Sequence, residues 1–372
     1  MREGGYMSNF PKRTRKSAGN AVMTIIALCA LICYGKTDVP VFLLSGQSNM
    51  VGYMASINDL TADQKKTVEN VKIHMGGDGD ASKKGKWLTL GPGFGAMASF
   101  LGPELYFGRT LSDSLPGKKI ALIKDATGGT YLAKTTDWLP PSSNNGTGGR
   151  LYNNMMTHID AALKSFNSAF DTTQYTPRWA GFVWLQGEFD AYDQSYANAY
   201  EKNLTNLIND IRAKTKVDDL PVILPMIDVQ NQWTYNAKVR AADVAVKQKL
   251  KNVDTMDTKG LPTDGTHYRT AGYVKIGTIC AQRWLNMHFS YGPPVTIAYA
   301  GSLPCSVQPS PRATATTVVK LFDLTGRKFG GIHAAYGGGG SPLLPHNGVF
   351  IAAINKNQPT GVLIFKERAT MR

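Results

Sequence analysis

In the segment VFLLSGQSNM, residues 41–50, a short apolar run is followed by five polar or small residues that include Ser48 and Asn49. The apolar run predicts a buried strand, and Gly46 permits a tight turn at its end. Ser48 would then stand at the carboxyl edge of a sheet, where a hydroxyl beside a base can act as a nucleophile. Taken alone, such a serine more often caps a helix. The segment is also not the G-x-S-x-G elbow of the α/β-hydrolases, because Met50 occupies the final glycine position.

A histidine with a nearby acid stands far downstream, in the segment PTDGTHYRTAGY, residues 262–273. Asp264 precedes His267 by one turn, an offset that lets its carboxylate accept a hydrogen bond from Nδ1 of the same imidazole. Nε2 would then remain free to take the proton of a serine. The same residues also fit a polar turn that opens a helix, with Asp264 as its cap.

Two further apolar runs end in polar or glycine-rich segments. DATGGTYL, residues 125–132, carries two glycines whose backbone N–H groups could face a developing oxyanion, although an ordinary strand-to-helix turn would look the same. WLQGEFDA, residues 184–191, ends in Gln186, Gly187 and Glu188. We therefore expect four strand ends to bring their polar residues to one edge of the sheet.

The elements that must position these residues alternate along the chain. Apolar runs at 39–44, 118–126, 179–188 and 220–228 read as strands covered on both faces, and amphipathic helical patterns lie between them. This alternation predicts βαβ units and a parallel sheet, the α/β class, with the active site outside the carboxyl ends of the strands.

The chain has 372 residues and a formal net charge of +14. We expect no nucleic-acid partner, because no basic motif interleaved with aromatic residues is present. Residues 91–96, GPGFGA, match a dinucleotide-loop pattern. They do not begin the first βαβ unit, so we expect no nucleotide cofactor. No cysteine or histidine spacing indicates a zinc site.

Both ends of the chain differ from the middle. Residues 1–35 combine a basic stretch with a short apolar run and predict a signal peptide, hence a secreted, cell-surface or periplasmic protein. A lipoprotein signal fits this segment less well, and an uncleaved membrane anchor is the remaining alternative. Residues 36–290 would form the main domain, 291–317 a linker, and 318–372 a small C-terminal β module. Cys280 and Cys305 would remain in the mature chain, either paired or simply buried.

The motifs GQSNM, GGT, WLQGEFD and DGTHYRTAGY, in this order and spacing, resemble those of the SGNH-hydrolase superfamily. More narrowly, residues 39–289 resemble the carbohydrate esterase family 6 acetylxylan esterases and the sialate O-acetylesterase-like domains. The resemblance implies a three-layer α/β/α sandwich with a parallel sheet and a serine-esterase mechanism that uses no cofactor and no metal.

The resemblance also assigns roles to residues. Ser48 would be the nucleophile and His267 the general base, oriented by Asp264, by Glu188 or by both. The N–H groups of Ser48 and Gly129 and the side chain of Gln186 would form the oxyanion hole. Candidate substrate contacts are Gln47, Asn49 and Trp138.

The expected function is removal of O-acetyl groups from a plant polysaccharide, with acetylxylan as the principal substrate. The C-terminal module could attach the enzyme to a cell surface. Two alternatives stay open: a sialate O-acetylesterase, and, from another class, a non-catalytic glycan-binding protein on the same fold.

Overall fold

The computed structural model describes residue 1, residues 36–290 and four C-terminal strands at 317–322, 328–334, 350–353 and 362–365. The chain divides into two compact units, Met1–Val295 and Thr296–Arg372. Apart from residue 1, the predicted signal peptide lies outside the described residues, as does Cys305, whereas Cys280 is buried. Among the described residues, no helix combines the length and apolar character needed to cross a membrane.

The first unit is built on a seven-stranded sheet with the spatial order β3-β2-β4-β1-β5-β6-β7. Strand β3 runs antiparallel to β2, and all other neighbours are parallel. Because β1 lies between β4 and β5, the residues that follow these three strands meet at the same edge. The strands are β1 (Thr37–Gly46), β2 (Val68–Met75), β3 (Trp87–Leu90), β4 (Ile120–Ala126), β5 (Tyr175–Leu185), β6 (Val222–Met226) and β7 (Val253–Asp257).

Helices cover both faces of this sheet and bury two separate cores. Alternate residues of β1 point to opposite faces: Val41 and Leu43 belong to one core, and Phe42 and Leu44 to the other. The first core includes residues of α3, α4 and α5, and the second includes residues of α2 and α6. The helices are α1 (Ser48–Val51), α2 (Glu104–Ser114), α3 (Arg150–Lys164), α4 (Gln194–Thr215), α5 (Asn236–Lys249) and α6 (Thr270–Ser290).

This arrangement confirms the predicted α/β class with three layers and a mostly parallel sheet. The continuous apolar runs of β1, β4 and β6 are buried, as strands covered on both faces require.

The second unit contains a four-stranded antiparallel sheet with the order β11-β10-β8-β9. Its strands are β8 (Thr317–Phe322), β9 (Lys328–Ala334), β10 (Phe350–Ala353) and β11 (Val362–Phe365). The predicted boundaries of the signal peptide, linker and C-terminal module stay predictions.

Candidate active site

A cavity of about 350 Å³ lies beyond the carboxyl ends of the central strands. This volume falls within the range of small-ligand sites. Each of the strands β1, β4, β5, β6 and β7 is followed by a loop or short helix that contributes to the wall. The lining residues are Gln47, Ser48, Asn49, Tyr53, Gly128, Gly129, Glu188, Phe189, Tyr192, Trp233, Thr266 and His267.

The turn after β1 places Ser48 at the start of the short helix α1. Gly46 has φ +148°, and a Cβ there would lie 2.0 Å from the carbonyl oxygen of Leu185, so only glycine fits beside β5. The N–H of Gln47 then donates to that same carbonyl over 3.0 Å. As the first residue of a helix, Ser48 has a backbone N–H with no helical acceptor, which leaves it available to a ligand.

The turn after β4 brings Gly128 and Gly129 to the cavity wall beside Ser48. Gly129 has φ +70°, which favours glycine. A Cβ on Gly128 would lie 3.4 Å from Cβ of Ser48, so the turn packs closely beside the serine. Within the described part of the chain, the N–H of Gly129 donates to no protein acceptor. The N–H groups of Ser48 and Gly129 are therefore both free to bind an oxyanion.

His267 is held by the tight turn that follows β7. The N–H of Asp264 donates to the carbonyl of His267 over 2.9 Å, and the Asp264 carboxylate accepts from the N–H of His267 over 2.8 Å. The side chain of Gln232 also donates to the carbonyl of Gly265 over 2.7 Å. These bonds fix the loop, and with it the half-buried imidazole.

The predicted hydrogen bond between the Asp264 carboxylate and Nδ1 of His267 is not formed among the described residues. Oδ1 of that carboxylate accepts from the backbone N–H groups of Thr266 and His267. Asp264 still acts on the imidazole through its charge: burial lowers the pKa of His267, and the Asp264 charge opposes this effect. No hydrogen bond joins Ser48 to His267 in the described part of the chain, although both line the cavity. Catalytic hydrogen bonds are often long without substrate.

Glu188 is buried and contacts the residues on either side of Ser48. Its carboxylate accepts hydrogen bonds from the side-chain amides of Gln47 and Asn49, the latter over 2.7 Å. Burial raises the pKa of Glu188 to about 7, although these two amides oppose the shift. The structure therefore gives no contact that would support the predicted role of Glu188 in orienting His267. Both carboxylate oxygens of Glu188 instead accept hydrogen bonds from the segment that carries Ser48.

Gln47 and Asn49, the predicted substrate contacts, line the cavity but are almost fully buried. The side-chain oxygen Oδ1 of Asn49 accepts from the N–H of Tyr268 over 3.2 Å and from the hydroxyl of Tyr273 over 2.9 Å. Its polar atoms are thus engaged within the protein, which indicates that Asn49 fixes the cavity wall. The Oε1 atom of Gln47 is buried and has no partner among the described residues.

The predicted oxyanion role of Gln186 is not supported. Its amide nitrogen donates to the carbonyl of Thr130 over 2.8 Å and to the carboxylate of Asp190 over 2.7 Å, and the residue does not line the cavity. Because both hydrogens of the amide are used inside the protein, none remains for an oxyanion. Gln186 instead ties the end of β5 to the segment that follows Gly129.

The structure does not support Trp138 as a substrate contact. Its side chain is fully buried, and its indole N–H donates to the hydroxyl of Thr130 over 2.7 Å. Thr130 donates in turn to the carbonyl of Thr127 over 2.7 Å. Trp138 therefore supports the glycine turn from inside the protein.

Sequence reasoning missed four aromatic residues of the cavity: Tyr53, Phe189, Tyr192 and Trp233. The first three closely follow Ser48 or Glu188 in the sequence, and this proximity was a usable signal. Trp233 lies in the β6–α5 loop, far from every motif. Tyr192 is 46% exposed, whereas Trp233 is only 2% exposed, so Tyr192 offers the more accessible ring.

Comparisons with known proteins agree with this fold. Over 272 residues the chain is 28% identical to an Arabidopsis thaliana protein named "Probable carbohydrate esterase At4g34215", covering 66% of this chain and 90% of that protein. An X-ray structure of the Arabidopsis thaliana protein AT4G34215 matches with a TM-score of 0.53 at 24% identity, covering 68% of this chain and 99% of that one. The crystal structure of NanS matches with a TM-score of 0.51 at 16% identity, covering 69% of this chain and 99% of that one.

At these identities the two structures show the fold alone. A family model, described as carbohydrate esterase, sialic acid-specific acetylesterase, matches residues 38–286. This match spans well over half of the chain and includes every residue that lines the cavity. The chain therefore belongs to this carbohydrate esterase family.

Proposed function

We propose that this protein is an exported serine esterase, of the carbohydrate esterase family 6 type, that removes O-acetyl groups from a neutral polysaccharide such as acetylxylan. The observation that carries the proposal is that Ser48, Gly129 and His267 line one cavity. A hydroxyl, an imidazole and free backbone N–H groups are the components that serine ester hydrolysis requires.

In the proposed mechanism, the Ser48 hydroxyl attacks the acetyl carbonyl carbon while Nε2 of His267 takes its proton. The N–H groups of Ser48 and Gly129 bind the oxyanion. The protonated imidazole then gives its proton to the sugar oxygen, which leaves as an alcohol, and the acetyl group remains on Ser48. His267 next deprotonates a water molecule, which attacks the acyl carbonyl carbon. The imidazolium then returns this proton to the Ser48 oxygen as acetate is released.

Asp264 would stabilise the imidazolium through its charge. The charges of the two groups interact favourably, since each shifts the pKa of the other toward its charged form. Because Asp264 is exposed, water screens this interaction, and we expect a smaller effect than that of a buried triad acid.

The composition of the cavity wall favours a neutral sugar over a sialic acid. None of the residues described as lining the cavity is a lysine or an arginine, and one of them, Glu188, is an acid. A carboxylate-bearing sugar is best recognised by a paired cation, which this wall does not supply. Aromatic rings line the wall instead, as suits the apolar faces of neutral sugar rings.

The test is acetate release from acetylated xylan and from O-acetylated sialic acid by wild type, Ser48→Ala and Ser45→Ala. Ser45 is the matched control, because it is a buried serine three residues earlier, on β1, and does not line the cavity. We expect Ser48→Ala to lose at least about 1000-fold in kcat and Ser45→Ala to stay within about threefold of wild type. Equal activity of Ser48→Ala and wild type would refute the serine mechanism, and faster release from sialic acid would refute the neutral-sugar proposal.

Export is the remaining part of the proposal and is supported by the sequence of residues 1–35. Expression of the full chain followed by N-terminal sequencing of the secreted protein should find a mature terminus near Lys36. Surface attachment through the C-terminal module stays a prediction.

A further inference from the structure

Asp78 lies in a tight turn that follows β2 and contacts the end of β4. Its N–H donates to the carbonyl of Ala126 over 2.7 Å. Gly77 has φ +61°, and a Cβ there would lie 2.2 Å from that carbonyl oxygen, so the close approach requires glycine. The backbone of Asp78 is therefore fixed directly beside the turn that carries Gly128 and Gly129.

The Asp78 carboxylate reaches that turn. It accepts a hydrogen bond from the N–H of Gly128 over 2.9 Å. A Cβ on Gly128 would lie 3.3 Å from the hydroxyl oxygen of Tyr53. Gly128 is therefore close to Ser48, Tyr53 and Asp78 at once. The Gly128 N–H is thereby occupied, and the next N–H along the chain, that of Gly129, is the one left free.

Tyr53 connects the same carboxylate to the proposed base. Burial, the charge of Asp78 and a hydrogen bond to its carboxylate raise the pKa of Tyr53. The Tyr53 ring stacks on the imidazole of His267, with ring centroids 5.4 Å apart and planes inclined by 23°. The backbone carbonyl of Tyr53 accepts from the hydroxyl of Tyr273 over 3.2 Å, which anchors the residue from the other side.

We propose that Asp78 is a positioning residue that fixes the Gly128–Gly129 turn beside Tyr53, the ring against which His267 stacks. The inference rests on the proposed function, in which Gly129 donates to the oxyanion. A pair of glycines is conformationally permissive, and an oxyanion donor must be placed within tenths of an ångström, so the turn needs an external acceptor to hold it.

The role depends on the hydrogen-bond acceptor and not on negative charge, because a carboxylate near a developing oxyanion repels it. Asparagine has the same shape as aspartate and keeps one carbonyl oxygen. Asp78→Asn should therefore retain the positioning, whereas Asp78→Ala should lose it. This contrast separates the proposed role from a purely electrostatic one.

The experiment measures kcat and KM on 4-nitrophenyl acetate for wild type, Asp78→Ala, Asp78→Asn and a control, Asp80→Ala. Asp80 is a partly exposed acid two residues away that accepts hydrogen bonds from Ser82 and does not line the cavity. We expect Asp78→Ala to lower kcat by about 10- to 100-fold with KM within about twofold of wild type. We expect Asp78→Asn and Asp80→Ala to stay within about threefold of wild type.

Thermal unfolding of each variant separates loss of positioning from loss of folded protein. Should Asp78→Ala fail to fold, Asp78→Glu replaces it, since the longer side chain displaces the acceptor and should lower kcat about tenfold. Wild-type kcat in Asp78→Ala, or equal loss in Asp78→Ala and Asp78→Asn, would overturn the inference. Ser48→Ala tests the proposed function separately, because its outcome does not depend on Asp78.

Discussion

The carboxylate of Glu188, at the end of β5, accepts a hydrogen bond from the side-chain amide of Asn49, in the helix that begins with Ser48, over 2.7 Å. The same carboxylate accepts from Gln47, so one buried acid holds the residues on both sides of the proposed nucleophile. Removal of the Glu188 carboxylate should therefore change the position of Ser48 more than that of His267.

Substitution Glu188→Ala is the first prediction. It leaves two buried amide donors without their acceptor, and each unsatisfied donor costs about 1–3 kcal/mol. We expect lower stability in urea denaturation and a fall in kcat. Glu201, on α4, is the matched control, because its side chain is 46% exposed and makes only a surface ion pair with Lys249. Glu201→Ala should change neither quantity measurably. Unchanged stability of Glu188→Ala would contradict the contacts described here.

The pH dependence of stability gives a second prediction for the same acid. Burial raises the pKa of Glu188 from its ordinary value of 4.5 to about 7, so the folded state binds this proton more tightly than the unfolded state does. The contribution of Glu188 to the free energy of unfolding should be at its maximum below pH 4.5 and should be lost as the pH rises toward 7. Glu188→Gln, which does not titrate, should reduce the decline between pH 4.5 and 7 in denaturation curves. Parallel curves for variant and wild type would contradict the assignment.

The titration of His267 provides a third prediction. Burial lowers its pKa below the ordinary value of 6.5, and the charge of Asp264 opposes the shift. Since the base must be neutral, the acid limb of kcat/KM should have a midpoint below pH 6.5. Asp264→Asn removes the opposing charge, so the His267 resonance in an NMR titration should move to a still lower pH. An upward movement would show that Asp264 does not act through its charge.

The fold and the chemical identity of the site were predictable because they depend on local patterns. The apolar run of β1 and the alternation of strands and helices determine which strand ends share one edge of the sheet. The direction of each side chain was harder to predict from the sequence. The sequence cannot show that the hydrogens of Gln186 are used by Thr130 and Asp190, because that depends on how β5 packs beside the glycine turn.

Residues whose role depends on long-range packing were the hardest to predict. Trp138 follows the glycine turn in the sequence, yet its ring is directed inward by a bond to Thr130. Asp78 stands at the end of a different strand, and no motif near it indicates its hydrogen bond to Gly128. Both cases involve contacts between loops that only the completed sheet brings together.

A buried ion pair beneath the helix that carries Ser48 gives a fourth prediction. Nζ of Lys124 lies 2.7 Å from Glu104, and it also donates to the carbonyl of Val51, the last residue of that helix, over 2.8 Å. Lys124→Met should destabilise the fold by about 3–5 kcal/mol, because it leaves the Glu104 carboxylate buried and unpaired. Lys66→Met is the control, since Lys66 makes an ion pair of equal length with Asp63 on the surface and should cost under about 1 kcal/mol. Similar losses in the free energy of unfolding for both variants would contradict the predicted difference between the buried and the surface ion pair.

The exposed ring of Tyr192 gives the last prediction, and it replaces the role first expected of Trp138. Tyr192 lines the cavity, is 46% exposed and contacts Phe189 edge-on, with ring centroids 5.6 Å apart. A ring placed in this way can stack on the sugar that carries the acetyl group, so Tyr192→Ala should raise KM for acetylated xylan about tenfold. The variant should hydrolyse 4-nitrophenyl acetate almost normally, because that substrate has no sugar to stack. Tyr192→Phe keeps the ring and should bind acetylated xylan like wild type. Equal losses on both substrates would instead indicate that Tyr192 shapes the catalytic wall itself.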